Sequence, residues 1–245
     1  MAIISNIQKT NRSKIYEGST KDVFQMHDDE STLQLFFKDD MIISGESLKI
    51  SGKGVINNSI SSYMMMQMDL IGLENHFIEK SNMREQVIQI LDMLPVQVRV
   101  SNVAVDSYVT SYGVQEGYIF ETPMIEFRVK NRASGNPVIN QDQKIAFNWA
   151  SLAEIREVKK LALRANDFLT GYFAGCGFRL IESYFEFGRV FNGEDFIFML
   201  ADEITPESCI LWDMDSNDKF DIETIAKSNN PIALYQEVQK RLRVK

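Results

Sequence analysis

The spacing of apolar residues changes character along the chain. From Lys14 to Lys38 it alternates in short runs, broken by Glu17-Gly18-Ser19-Thr20 and closed by Asp39-Asp40, which predicts two strands within 14–26 and a third over 32–38. Beyond Gly52-Lys53-Gly54 the period lengthens to that of a helix over about 55–71, with Ile56, Ile60, Tyr63, Met64 and Asp69 on one mostly apolar stripe. The Met64-Met65-Met66 run and Met68 suit core packing, because an unbranched thioether fills irregular gaps. Strands are expected again at 76–80 and 86–92. Another follows in P-V-Q-V-R-V, where Pro95 opens the strand and is tolerated.

Longer helices mark the rest. Ser151 with Glu154 forms a capping box, and Leu152, Ile155, Val158, Leu161, Ala162, Ala165, Phe168, Leu169 and Tyr172 trace one face. Gly175-Cys176-Gly177 stops that helix, and a last one begins near Pro231 and ends in the basic K-R-L-R-V-K. Strands and helices rarely alternate one for one, so the fold class is α+β rather than a doubly wound parallel sheet. A boundary near Leu91 to Leu94 divides the chain into a β-rich lobe, 1–92, and an α+β lobe, 93–245.

Composition narrows the possible functions. At 245 residues and 44% hydrophobic content the chain can bury a large core. A net charge of −8 argues against nucleic acid or an anionic membrane as partner. Cys176 and Cys209 lie in no metal or redox spacing, which points to a reducing cytoplasm. No signal peptide and no bilayer-spanning run is apparent. With His27 and His76 alone, both near loop-like residues, histidine-centred catalysis and zinc chemistry are not expected.

The densest chemical signal lies between Glu182 and Asp213. Phe185 and Phe187 flank Glu186, Phe196, Phe198 and Leu200 alternate toward Asp202, and Asn192-Gly193 marks a turn, which predicts a hairpin with one carboxylate on each strand. A three-residue loop, Gly193 to Asp195, would set Glu186 opposite Asp202; the two-residue Asn-Gly loop would set it opposite Met199. In the first register the Cβ atoms lie roughly 5 Å apart, where like charges repel unless a cation lies between them. Two hard oxygen donors with little Lys or Arg nearby suit Mg²⁺ bound together with substrate phosphates. An acidic, solvated hairpin would show the same spacing. Upstream, Tyr16-Glu17-Gly18-Ser19-Thr20-Lys21 joins two strands and is therefore not a Walker loop. A glycine-bearing hairpin can still lie over a nucleotide and offer N–H groups to its phosphates, with Lys21 and Lys38 adding charge.

Taken in order, I-Y-E-G-S-T-K-D-V-F, F-F-K-D-D, G-K-G-V-I-N-N, L-D-M-L-P-V-Q-V, F-N-W-A-S, R-A-N-D-F-L, Y-F-E-F-G and A-D-E-I-T-P-E-S-C-I-L-W-D resemble the motifs of the SAICAR synthetase family, from about Lys14 to Arg243. The resemblance implies a small β-rich lobe over a larger α+β lobe, with ATP between them. It implies phosphates near Gly18, Ser19, Lys21 and Lys38, adenine against Leu91 to Met93, Mg²⁺ on Glu186 and Asp202, and catalysis by Lys21, Glu186 and Asp202. Small-molecule carboxylate and amine substrates and a homo-oligomer are implied as well.

Departures from the family pattern concentrate at the acceptor side. Ser19 stands where the phosphate turn usually has Lys, Ser101-Asn102 where Arg-Asn is expected, Tyr184 where Lys precedes the metal-binding Glu, and Ile210 where Arg precedes L-W-D. Arg132, Gly135 and Asn136 replace Asp, His and Asp, Glu207 stands for Asp, and Ser107 survives. The acceptor is thus assigned to Ser101, Asn102, Ser107, Arg132, Tyr184, Glu207 and Ile210. Three cations are missing where the family binds a nucleotide phosphate and carboxylates; at about 1.5–3 kcal/mol per charged hydrogen bond, affinity would fall by about 4–9 kcal/mol. Lys53, Arg99 and Arg132 are the candidates to compensate. The sequence therefore leads to an ATP- and Mg²⁺-dependent carboxylate–amine ligase acting on an altered, less anionic substrate in a specialised pathway. Its alternatives are an authentic SAICAR synthetase joining aspartate to carboxyaminoimidazole ribonucleotide, and a non-catalytic nucleotide-binding homologue.

Overall fold

The computed structural model describes residues 12–43, 46–131 and 134–245. The opening alternation forms an antiparallel meander of β1 (Arg12–Glu17), β2 (Lys21–Met26) and β3 (Thr32–Phe37). A small hairpin, β4 (Asp40–Ile43) and β5 (Glu46–Lys49), leads into α1 (Lys53–Leu70). Met64, Met65 and Met68 of α1 are fully buried as expected, whereas Met66 faces outward. The chain then returns through β6 (Phe77–Lys80) and β7 (Glu85–Gln89), which complete a five-stranded sheet in the order β1-β2-β3-β7-β6.

A second, larger sheet takes up the rest of the strands. It comprises β8 (Asp92–Val103), β9 (Ile119–Val129) and β10 (Val138–Ile139), then β11 (Phe178–Phe191), β12 (Phe196–Ala201), β13 (Cys209–Asp213) and β14 (Lys219–Phe220). Its order is β10-β9-β8-β11-β13-β14, with β12 also beside β11, and every pairing is antiparallel. Short helices α2 (Ser107–Thr110) and α3 (Gln141–Ala146) precede α4 (Leu152–Gly175); α5 (Ile222–Lys227) and α6 (Pro231–Arg241) close the chain. The capping box on α4 is present in both directions, and Ile155, Val158, Leu161, Ala162, Ala165, Leu169 and Phe173 face the sheet. Leu152 is on the solvent side of the first turn. The main core joins α1, α4 and α6 to β8, β11 and β13, while Leu35, Phe37 and Ile88 form a separate cluster on the first sheet. Among the described residues no helix is long and apolar enough to cross a membrane.

Two expectations about strands are corrected. Pro95 lies within β8, not at its start, where the ladder to β11 slips between Met93 opposite Gly188 and Gln97 opposite Glu186. A proline is harmless there because the interrupted ladder asks it for no N–H. The β11–β12 hairpin adopts neither anticipated register: Phe191 pairs with Phe196 and Glu186 with Ala201. Its loop is Asn192 to Asp195, closed by the Asn192 side chain, which accepts from the N–H groups of Glu194 and Asp195 at 2.9 Å each. That side chain satisfies the turn's donors, so no two-residue turn is needed.

Gly188 sets how closely the segment between the sheets can approach β11. A Cβ there would lie 2.5 Å from the Cβ of Leu91 and 3.0 Å from the sulfur of Met93. Gly188→Ala is expected to destabilise by about 1–3 kcal/mol through overpacking, seen as a lower melting temperature. It should also narrow the cleft that Leu91 and Met93 line, because both would be pushed into it.

Candidate active site

The site follows from the pairing of β11. One edge is taken by β8. The other edge pairs with β13 over Phe178–Ser183 and with β12 over Glu186–Phe191. Between the end of β12 and the start of β13, residues 202–208 leave the sheet, tied back where the Tyr184 N–H donates to the Ser208 carbonyl at 2.8 Å. That excursion carries Asp202, Glu203 and Glu207 into the space beside Glu186.

Two connected cavities open there. A cleft of about 600 Å³ lies between the β1–β2 turn, the inner face of the first sheet, Leu91 and Met93, and ends at Lys21, Glu186 and Asp202. A basin of about 670 Å³ continues past Glu186 and Asp202 to Tyr184, Glu207 and Ile210. The turn roofing the cleft is tight: Gly18 N–H donates to the Lys21 carbonyl at 2.8 Å, and a Cβ on Gly18 would lie 2.7 Å from that same oxygen. Lys38 does not line the cleft. Its Nζ donates to the Gly18 carbonyl at 2.7 Å and faces Asp22 at 3.5 Å, so it braces the turn from behind.

Each carboxylate at the junction has a lysine on it. Lys21 Nζ lies 2.5 Å from Asp202 Oδ1 and 2.6 Å from Glu203 Oε1, and Lys130 Nζ lies 2.5 Å from Glu186 Oε2. The segment is therefore less free of cations than its own sequence suggested, because both lysines arrive from distant elements. Burial works against the Lys21 ammonium, but Asp202 and Glu203 outweigh it and raise its pKa. Burial pushes Glu186 upward and the neighbouring Asp202 adds to this, with Lys130 opposing. Asp202 is lowered: burial raises it, and Lys21 more than reverses that. Among the described residues no three or more His, Cys, Asp or Glu converge as a closed metal site. A cation held by Glu186 and Asp202 would thus need further oxygens from a ligand, which is how Mg²⁺ is commonly bound with phosphates.

The acceptor residues expected from the sequence are only partly brought together. Tyr184, Glu207 and Ile210 line the basin. Ser101 and Asn102 do not line either cavity: Ser101 Oγ donates to Glu182 at 2.9 Å, and the Asn102 amide pairs with Asn166 at 2.8 and 3.0 Å. Ser107 Oγ accepts from Arg99 at 3.2 Å. Arg132 lies outside the described residues. Neither of the other proposed compensating cations is available to an anion. Arg99, 2% exposed, pairs with Glu126 at 3.0 Å and with the wholly buried Glu182. Lys53, also wholly buried, pairs with Glu207 at 2.6 Å.

Sequence reasoning missed three residues that shape the junction: His76, Lys130 and Glu203. Lys130 stood in the K-N-R-A-S-G-N-P segment, but which carboxylate it meets depends on β9 lying two strands from β11. His76 is 4% exposed, lines the cleft, and is pushed down to about 4 by burial, so it is neutral near pH 7.

A glycine-bearing turn over a cleft that ends in two carboxylates and a buried lysine is an arrangement suited to a nucleotide-dependent enzyme. Comparison with known proteins gives the same class. The family model for SAICAR synthetase matches residues 14–242. The phosphoribosylaminoimidazole-succinocarboxamide synthase of Rickettsia massiliae is 46% identical over 235 residues, covering 96% of this chain and all of the relative, and that of Rickettsia typhi is 45% identical over the same span. Among solved structures, the corresponding synthase from Ehrlichia chaffeensis superposes with a TM-score of 0.90 at 31% identity, covering 95% of this chain and 99% of that one. A SAICAR synthetase in complex with ADP superposes at 0.86 with 30% identity, covering 93% and 96%. The chain belongs to the SAICAR synthetase family, ATP-dependent ligases that form a carbon–nitrogen bond.

The Arg99–Glu182 pair is the charge interaction most enclosed by the sheet. Arg99→Leu leaves Glu182 buried without its cation and is expected to destabilise by about 3–5 kcal/mol. The double variant Arg99→Leu/Glu182→Leu should recover a large part of that loss, giving clear non-additivity in urea denaturation.

Proposed function

We propose that this chain is a SAICAR synthetase, joining aspartate to carboxyaminoimidazole ribonucleotide at the expense of ATP. The observation that carries this reading is the match to curated synthases over 96% of this chain and all of the relative, and a cleft lined by a glycine-bearing turn, a buried lysine and two carboxylates supports it. The γ-phosphoryl group of ATP passes to the substrate carboxylate, giving an acyl phosphate and ADP. The amine then forms the carbon–nitrogen bond, and phosphate and a proton leave. On this reading the part before Met93 covers the nucleotide, and the remainder carries the metal and acceptor sites. A cytoplasmic homo-oligomer belongs to the same reading.

The residues fit a divalent cation in donor type, two hard carboxylates lining one cleft, although a cation there would have to share Asp202 with Lys21 and Glu186 with Lys130. Mg²⁺ held by Glu186 and Asp202 would neutralise charge developing on the β- and γ-phosphates. Lys21 keeps a permanent charge under the turn and steadies the transferring group. Gly18 lets the backbone approach the phosphates, and Leu91 with Met93 offers an apolar wall to the base. Catalysis is then mainly alignment and charge neutralisation.

A second reading, in which the same ligase chemistry serves a less anionic acceptor, has one observation in its favour. Among the described residues the basin is lined by eight carboxylates and a single lysine, Lys219, itself 2.7 Å from Glu116. Arg99 and Lys53 are paired with buried acids, and Tyr184 and Ile210 face the basin.

Purified protein with ATP, Mg²⁺, aspartate and carboxyaminoimidazole ribonucleotide should release ADP and succinocarboxamide product only when all are present. Glu186→Gln should lower kcat by about 100-fold or more. Binding of Mg-ADP with no product from that substrate pair would reject the first reading in favour of the second.

A further inference from the structure

His76 lines the cleft, yet no step above uses it. Its backbone joins the two sheets: its N–H donates to the Leu200 carbonyl at 3.0 Å, and its carbonyl accepts from Gln89 at 2.7 Å. Leu200 N–H in turn donates to Glu74 at 2.9 Å, so residues 74–76 lie as a short parallel bridge beside the end of β12. Asn75 pins that bridge to α1, its amide donating to the Met65 carbonyl at 3.0 Å while its side-chain oxygen accepts from the Phe77 N–H at 3.0 Å. The imidazole points onward from this joint. Nε2 lies 3.0 Å from the backbone carbonyl of Asp202, and because a carbonyl only accepts, that nitrogen carries the hydrogen.

Asp202 needs such a hold. In an extended strand successive side chains point to opposite faces. Ala201 is directly opposite Glu186, so a continued strand would send the next side chain to the other face, away from Glu186. Instead Asp202 has φ 65, in the left-handed region that L residues rarely occupy, and its carboxylate lines the same cleft as Glu186. The conformation that unites the two acids is thus one the backbone does not prefer by itself.

We infer that His76 is a positioning residue, whose Nε2–H to the Asp202 carbonyl holds the left-handed turn that aims the second carboxylate at the metal. The inference rests on the reading of Glu186 and Asp202 as metal ligands. It also assigns residues 74–76 a role in keeping the first sheet in register with the metal-binding end of β12.

Mn²⁺ binding to the ADP-loaded protein, followed by electron paramagnetic resonance, separates the possibilities. His76→Leu is expected to weaken Mn²⁺ binding by about 10-fold or more, the scale seen when an outer partner of a metal ligand is removed, with ADP affinity in the absence of metal unchanged. His76→Gln keeps an N–H donor at similar reach and should restore most of the Mn²⁺ affinity. Wild-type Mn²⁺ binding in His76→Leu, an equal loss of metal-free ADP affinity, or a His76→Gln no better than His76→Leu would overturn the inference. Should His76→Leu fail to fold, the comparison passes to His76→Gln against His76→Asn, whose donor is too short to reach; equal Mn²⁺ affinity in those two overturns it. Glu186→Gln and Asp202→Asn serve as controls, and if neither weakens Mn²⁺ binding, the metal-site reading itself fails.

Discussion

A β-strand has only two edges on which to hydrogen-bond, and β11 uses one of them for two partners. Its first half holds β13 and its second half holds β12, so the chain between those partners must leave the sheet where they meet. The acids of residues 202–208 are delivered at that gap, next to Glu186 on the strand itself. The arrival of Asp202 and Glu203 beside Glu186 depends on this exchange. If β12 and β13 formed one continuous strand, Asp202, Glu203 and Glu207 would be ladder residues with alternating faces. On the opposite edge β8, with one slip at Pro95, and α4, packed on β8 and β11, hold the exchange in place.

The charges gathered at the gap would repel one another without help from elsewhere. Lys21 comes from the first sheet and Lys130 from the end of β9, and each sits on an acid of the second sheet. The Lys21 pairs tie the first sheet to the second across the cleft, whereas the Lys130–Glu186 pair closes within the second. Further along, the same economy gives a different result. Arg99 and Lys53 are cations by sequence, but Glu182, Glu126 and Glu207 compensate them inside the protein. A buried ion pair is mostly a matter of avoiding an uncompensated charge, and little of either cation's field reaches a ligand.

That compensation bears on how far the departures from the family pattern can be read. Residue by residue, the replacements at Ser101, Tyr184 and Ile210 suggested an altered acceptor. The whole-chain likeness to curated synthases supports the usual reaction better, at an identity and coverage that a few pocket residues do not offset. Ser101 and Asn102 illustrate why single positions mislead: both were assigned to the acceptor, and both are engaged within the sheet, away from the two cavities.

The elements themselves were largely legible in the order of residues. Alternation marked β1, β2 and β3, the Ser151–Glu154 box marked the start of α4, and Pro231 marked α6, because each is a local preference encoded within a few positions. The pairing of Glu186 with Asp202 across one cleft was legible as a possibility but not as a register. Only the tertiary structure decided that Asn192 closes a longer loop, that Glu186 faces Ala201, and that a left-handed Asp202 restores the meeting of the acids. It alone decided, too, that His76 is a buried joint, that Lys130 reaches Glu186, and that Arg99 and Lys53 face inward. The physical reason is the same in each case: local sequence sets backbone preference and periodicity, whereas the partner of a charge or donor is set by strands brought together from distant parts of the chain.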